Sequence, residues 1–84
     1  MHYPLERRPA LMQHCRANPP EDLLGSPVVD VKTYDGVKFI AASGDWLMLR
    51  GSGTEPVLRV YAEARTDAGA NKLLRSGVGL TRRV

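Results

Sequence analysis

Between Val28 and Ala64 the chain alternates apolar and polar residues with a period of two, the signature of half-buried strands. Val29 and Val31 are expected on one side of a first strand, with Asp30, Lys32 and Tyr34 on the other. Val37, Phe39 and Ala41 form the core side of a second, opposite Lys38 and Ile40. In Trp46-Leu47-Met48-Leu49-Arg50 the core positions are Leu47 and Leu49, which leaves Trp46, Met48 and Arg50 together on the other face. The fourth strand sets Leu58, Val60, Ala62 and Ala64 against Arg59, Tyr61 and Glu63. Asp35-Gly36 predicts a type I′ hairpin with positive φ at both residues, and Ser43-Gly44-Asp45 predicts a second turn.

Helical spacing flanks these strands. Pro9 suits a first helical turn, and Ala10, Leu11, Met12 and Cys15 give a partial apolar stripe that Asn18-Pro19-Pro20 stops. Glu21 to Leu24 reads as one further turn, closed by Gly25. Thr66 is a good N-cap, Asp67 complements the helix dipole, Ala70, Leu73 and Leu74 share a face, and Gly77 is placed to end the helix. The expected architecture is α+β: a four-stranded antiparallel sheet with helices packed on one face. It is one domain in three parts: residues 1–26, an N-terminal segment with a short helix; 27–78, the sheet and last helix; and 79–84, a frayed tail.

The third connection between strands is the one with chemistry in it. Gly51 to Pro56 is longer than an economical hairpin needs. Its glycines let backbone approach a ligand closely, Ser52 and Thr54 bring hydroxyl donors, and Arg50 and Arg59 stand at its roots. Pro56 fixes its own φ and holds Glu55 extended, so the exit of the loop is stiff. Backbone N–H groups converging in such a turn, with guanidinium groups beside them, make a cradle for phosphate or carboxylate. Gly-Ser-Gly alone also fits a flexible linker, a reading that leaves Thr54-Glu55-Pro56 without a purpose.

Composition narrows the remaining classes. Eighty-four residues with 43% hydrophobic and 25% charged content support a single small core. The net charge of +3 is scattered apart from Arg7-Arg8 and Arg82-Arg83, which read as solvated terminal pairs. Nucleic acid is therefore not an expected partner, because no basic stripe interleaves with the few aromatics. Cys15 alone excludes an internal disulfide, fits a reducing compartment, and beside His14 is better read as a small buried apolar residue than as a nucleophile. His2 and His14 make no metal-ligand set, and no apolar run reaches the length of a membrane span. A cytoplasmic location is expected.

Arg50-Gly51-Ser52-Gly53-Thr54-Glu55-Pro56, followed by Arg59-Val60-Tyr61-Ala62-Glu63-Ala64, resembles the phosphate-binding loop of the α-D-phosphohexomutases, in their fourth, C-terminal domain. The resemblance runs upstream through Tyr34-Asp35-Gly36-Val37-Lys38-Phe39 and Trp46 to Leu49, and covers about Pro27 to Gly77. It implies a TATA-binding-protein-like fold. It also implies that Arg50, Ser52, Gly53 and Thr54 hold the phosphate of a phosphosugar, with Arg59 assisting and Glu55 orienting or stiffening. No catalytic residue and no metal ligand is expected in this chain. The phosphoserine loop, the Mg²⁺ loop and the sugar-specificity loop of that family belong to its other domains, so the implied partners are a phosphosugar and those domains, and Mg²⁺ is expected only in a full-length parent. The chain is then a positioning domain, inactive alone. The alternative is a stand-alone anion-binding or regulatory module that recognises a phosphorylated partner.

Overall fold

A computed structural model describes residues 1–82. A 3-10 turn, Leu5–Arg7, leads into α1 (Arg8–Ala17), followed by β1 (Asp22–Leu23), β2 (Ser26–Lys32), β3 (Val37–Ala41), β4 (Trp46–Gly51), β5 (Leu58–Glu63) and α2 (Asp67–Thr81). The strands lie in sequence order in one sheet, and each pairs antiparallel with the next. The class is α+β, with five strands rather than the four expected.

The extra strand comes from the segment read as a helical turn. Asp22 and Leu23 pair with Pro27 and Ser26, and the two residues between, Leu24 and Gly25, take φ of 53° and 85°. Positive φ at both central residues is the geometry of a type I′ turn. The Asp22 carboxylate accepts the Gly25 N–H at 2.8 Å, and Leu23 is buried. Leu24 hid this hairpin in the sequence, because leucine rarely adopts positive φ.

Two further expectations change. The register of β2 on β3 shifts between Val28 and Asp30, so Val28 and Val31 oppose the buried Ala41 and Phe39. Val29 sits in this irregularity and is 64% exposed, where simple alternation put it on the same side as Val31. A β-bulge adds one residue and flips the faces that follow. In the β2–β3 connection Gly36 alone has positive φ, 104°, so Asp35-Gly36 is not a two-residue I′ turn. That glycine is still required, since a Cβ there would stand 2.1 Å from the Leu49 carbonyl oxygen.

Both helices cover the same face of the sheet. Val37, Phe39, Leu47, Leu49 and Leu58 are almost fully buried beneath Leu11 and Cys15 of α1 and Leu73 and Leu80 of α2. Thr66 caps α2 as expected, accepting the Gly69 N–H at 3.0 Å. Gly77 does not end α2. It lies inside the helix, where a Cβ would come 2.6 Å from Val60 Cγ1 and 3.1 Å from Leu47 Cδ1. The glycine lets α2 approach β4 and β5 closely, and the helix continues to Thr81 with Leu80 and Thr81 buried. Residues 79–81, expected to fray, are therefore helical, while residues 83 and 84 of that tail lie outside the described residues. The Cys15 thiol is buried, and desolvation raises its pKa.

Two outcomes follow from this packing. Gly36→Ala meets both a positive φ and a backbone oxygen, and should destabilise by about 3 kcal/mol or more. Gly44→Ala has positive φ but open space around it, and should cost only about 1 kcal/mol. Urea denaturation of the two variants checks the difference. Cys15 should resist thiol alkylation in the native state, because burial favours the neutral thiol. Raising the pH through the free-thiol range should accelerate alkylation of the denatured chain far more than of the folded one, as followed by mass spectrometry.

Candidate anion-binding site

β4 and β5 pair without interruption from Trp46↔Glu63 to Gly51↔Leu58. This register sets Arg50 directly opposite Arg59, on the face away from the helices, and both are exposed. Like charges in directly facing positions repel each other and are normally avoided. Among the described residues neither guanidinium has a carboxylate partner; the ion pair found there joins Lys32 and Asp30 at 3.2 Å. Two cations are thus held side by side with their charge uncompensated, at the mouth of the loop.

Four carbonyls in and beside the loop are tied back by the rest of the chain. The Ser52, Glu55 and Val57 carbonyls accept hydrogen bonds from the Arg8 guanidinium, the last at 2.9 Å. The Pro56 carbonyl accepts from Tyr3 N–H at 2.8 Å, and Ser52 N–H donates to the Val57 carbonyl at 3.0 Å. Val57 N–H donates back to the Glu55 carbonyl at 2.7 Å. Among the described residues the backbone N–H of Gly53, Thr54 and Glu55, the hydroxyls of Ser52 and Thr54, and the carbonyls of Gly53 and Thr54 have no protein partner. A turn with carbonyls tied back and N–H groups unsatisfied favours an anion.

A concavity of about 240 Å³ opens here, lined by Arg50, Gly51, Ser52, Gly53, Arg59 and Tyr61. Of the five residues expected to hold a phosphate, Arg50, Ser52, Gly53 and Arg59 line it. Thr54 is exposed on the loop and does not. Tyr61 joins through strand alternation, two residues beyond Arg59 on the same face. Glu55 presents its backbone carbonyl to Arg8.

Arg8 is the residue that sequence reasoning missed. As the first residue of α1 it was paired with Arg7 as solvated charge, yet its contacts reach 44 to 49 residues along the chain. Its Nε is buried without a partner. Gly51 makes room for it, since a Cβ there would stand 2.7 Å from Arg8 Nη1. The only local hint was an arginine directly before the Pro9 that opens a helix. Met1 to Tyr3 also has a place: His2 bridges to Val57, and Met1 pairs with Leu58 along the outer side of β5.

Elsewhere on the open face, Trp46 is covered rather than free. The Lys38 ammonium lies 4.3 Å from its ring centroid, and its indole N–H donates to Glu63 Oε2 at 2.9 Å. A second hollow of about 280 Å³ between β1 and α2 holds Asp22 among largely apolar walls and offers an anion no cation. Among the described residues no three His, Cys, Asp or Glu side chains form a group able to hold a metal ion, and no helix is long and apolar enough to cross a membrane.

Comparison with known proteins shows the family to which this domain belongs. Residues 9–76 match the family described as phosphoglucomutase/phosphomannomutase, C-terminal domain. The chain is 43% identical over 53 residues to phosphoglucosamine mutase of Methanococcus aeolicus, covering 63% of this chain and 12% of that protein. It is 40% identical over 50 residues to phosphoglucomutase/phosphomannomutase of Thermococcus kodakarensis, covering 60% and 11%. It is 34% identical over 64 residues to phosphopentomutase of the same organism, covering 76% and 14%. The chain thus spans between 11% and 14% of the length of these relatives.

The Arg8 clasp can be tested directly. Arg8→Ala should lower stability by about 1.5–3 kcal/mol, because several charge-assisted hydrogen bonds to part-buried and exposed carbonyls are lost together. It should also raise nanosecond motion of residues 52–57 in amide relaxation. Arg8→Lys should recover little of this, since one ammonium cannot reproduce a planar fork that spans several carbonyls.

Proposed function

This chain belongs to the phosphoglucomutase/phosphomannomutase C-terminal domain family, and we propose that it is the phosphate-gripping domain of a phosphosugar mutase of the phosphohexomutase type. We read its architecture as TATA-binding-protein-like. The observation that carries the proposal is the facing pair Arg50 and Arg59, unpaired with any carboxylate among the described residues, beside a loop with unsatisfied N–H groups and hydroxyls. A phosphate dianion relieves the repulsion between the arginines and satisfies those donors together.

In this reading Arg50 and Arg59 supply charge, Ser52 supplies a hydroxyl, and Gly53 and Thr54 supply backbone N–H. Tyr61 borders the same hollow. Arg8 touches no substrate; it holds the loop carbonyls back so that the donors face outward. The chemistry available here is binding and orientation. Phosphoryl transfer also needs a nucleophile and in-line charge neutralisation, and the described residues do not form a Mg²⁺ site, so no step through the metal is assigned to them. The metal, the transferring serine and the sugar-reading contacts would come from other domains, in the cytoplasm. The relatives' names differ in their sugar, glucosamine in one and pentose in another. A domain that grips only the phosphate is compatible with all of them.

The isolated chain should bind inorganic phosphate weakly, on the order of millimolar, because one loop offers few contacts against the cost of association. Amide NMR during a phosphate titration should show shifts concentrated at Gly51 to Thr54 and at Arg59. Even, unsaturable shifts over the surface would refute the site. The chain alone, with Mg²⁺ and glucose 1-phosphate, should form no 6-phosphate. Arg50→Ala should weaken phosphate binding by roughly ten- to a hundredfold, and Ser52→Ala by less, since only a neutral donor is lost.

A further inference from the structure

β5 is the last strand of the sheet, so its outer side has no full strand beside it. The phase of that edge is fixed by Leu58, which donates its N–H to the Met1 carbonyl at 2.8 Å and accepts from the Met1 ammonium at 2.9 Å. Outward-facing backbone groups recur at every second residue of an antiparallel strand. Val60 and Ala62 therefore also turn N–H and C=O outward, while Arg59, Tyr61 and Glu63 face β4. Among the described residues no segment outside the sheet bonds to Val60 or Ala62. Along the same edge a groove of about 450 Å³ runs between β5 and α2, with Leu58, Val60, Leu74 and Val78 among its walls.

We propose that this edge pairs antiparallel with the same edge of a second copy of the chain, about a two-fold axis at Tyr61. The strand reads Arg59-Val60-Tyr61-Ala62-Glu63, and it is complementary to its own reverse. With Tyr61 opposite Tyr61, Arg59 of each copy faces Glu63 of the other. Val60 faces Ala62 with outward groups on both, which is the hydrogen-bonded arrangement. Tyr61 then occupies a non-hydrogen-bonded pair, where facing side chains approach most closely and aromatic pairs stabilise.

The register is selected rather than assumed. Met1 already occupies the edge at Leu58, and β5 ends at Glu63, so the free window is centred on Tyr61. An axis at Arg59 or at Glu63 would oppose like charges. Charged residues on an edge strand ordinarily discourage pairing; here their order makes one pairing favourable. Glu63 gives Oε2 to Trp46, and its other oxygen remains for arginine. The apolar side of the added strand would lie toward Leu74 and Val78. Arg59 also borders the anion site, so the pairing is measured in the absence of phosphate.

Sedimentation velocity of the whole chain should show a monomer–dimer equilibrium with a dissociation constant on the order of 100 µM, the weak end appropriate to a short interface. Slower amide exchange at Val60 and Ala62 with rising concentration should accompany it, a reading that needs no substitution. Ala62→Pro removes one outward N–H and leaves the β4 ladder intact, and should keep the chain monomeric. Glu63→Arg should weaken the dimer at least ~10-fold by opposing arginines, and Arg59→Glu combined with Glu63→Arg should restore it. If Ala62→Pro fails to fold, amide exchange and the charge exchange decide. A monomer at every concentration, exchange at Val60 and Ala62 independent of concentration, or a dimer indifferent to Glu63→Arg would each overturn the proposal.

Discussion

The unbroken ladder between β4 and β5 is the constraint from which the site follows. Its register is set by what lies beneath, because Leu47, Leu49 and Leu58 are buried against the helices and a slip of one residue would turn them to water. Arg50 and Arg59 are passengers of that register. Their mutual repulsion, of order 0.2–1 kcal/mol for facing like charges, is small against the burial of even one leucine, about 1.5–3 kcal/mol. The fold can hold two cations together because the core, not the open face, decides where the strands sit. Gly77 belongs to the same logic: by omitting a side chain it lets α2 press on Val60, Leu47 and Leu49 and fix the strands that carry the arginines.

The second half of the site is built by subtraction. A loop of six residues offers carbonyls as readily as N–H groups, and an anion would be repelled by the former. Arg8 and Tyr3 lessen that problem by holding the carbonyls of Ser52, Glu55, Pro56 and Val57. The guanidinium fork suits this task, since its donors lie in one plane and serve several acceptors at once. Its positive charge also adds to the field at the loop. α1 thus does more than cover Phe39; it delivers, from the far end of the sequence, the group that gives the loop its polarity.

Much of this was legible in the residues. The core faces of β3, β4 and β5, the Thr66 cap, the Pro9 helix start and the placement of Arg50 and Arg59 on one face all follow from alternation and local rules. The misreadings have a shared cause, which is that the deciding contact was distant or the local residue atypical. Leu24 adopts a conformation that leucine seldom takes, so β1 was hidden. Val29 fell into a bulge that periodicity cannot reveal. Gly77 looks like a helix end until the side chains of β4 and β5 appear opposite it. Arg8 contacts nothing within its own neighbourhood that would have marked it.

In a sequence that obeys its local rules almost everywhere, the place where a rule is broken carries information. The sheet breaks one at Arg50 and Arg59, and the break is not relieved within the described part of the protein. Asp30 and Lys32 on the same face neutralise each other, and Lys38, Trp46 and Glu63 satisfy one another in a compact group. At the loop end charge is left uncompensated, next to unsatisfied N–H groups and in front of a hollow wide enough for a phosphate. A purely structural account has no reason to concentrate unpaired cations and unpaired donors at one point. An anionic ligand would account for both.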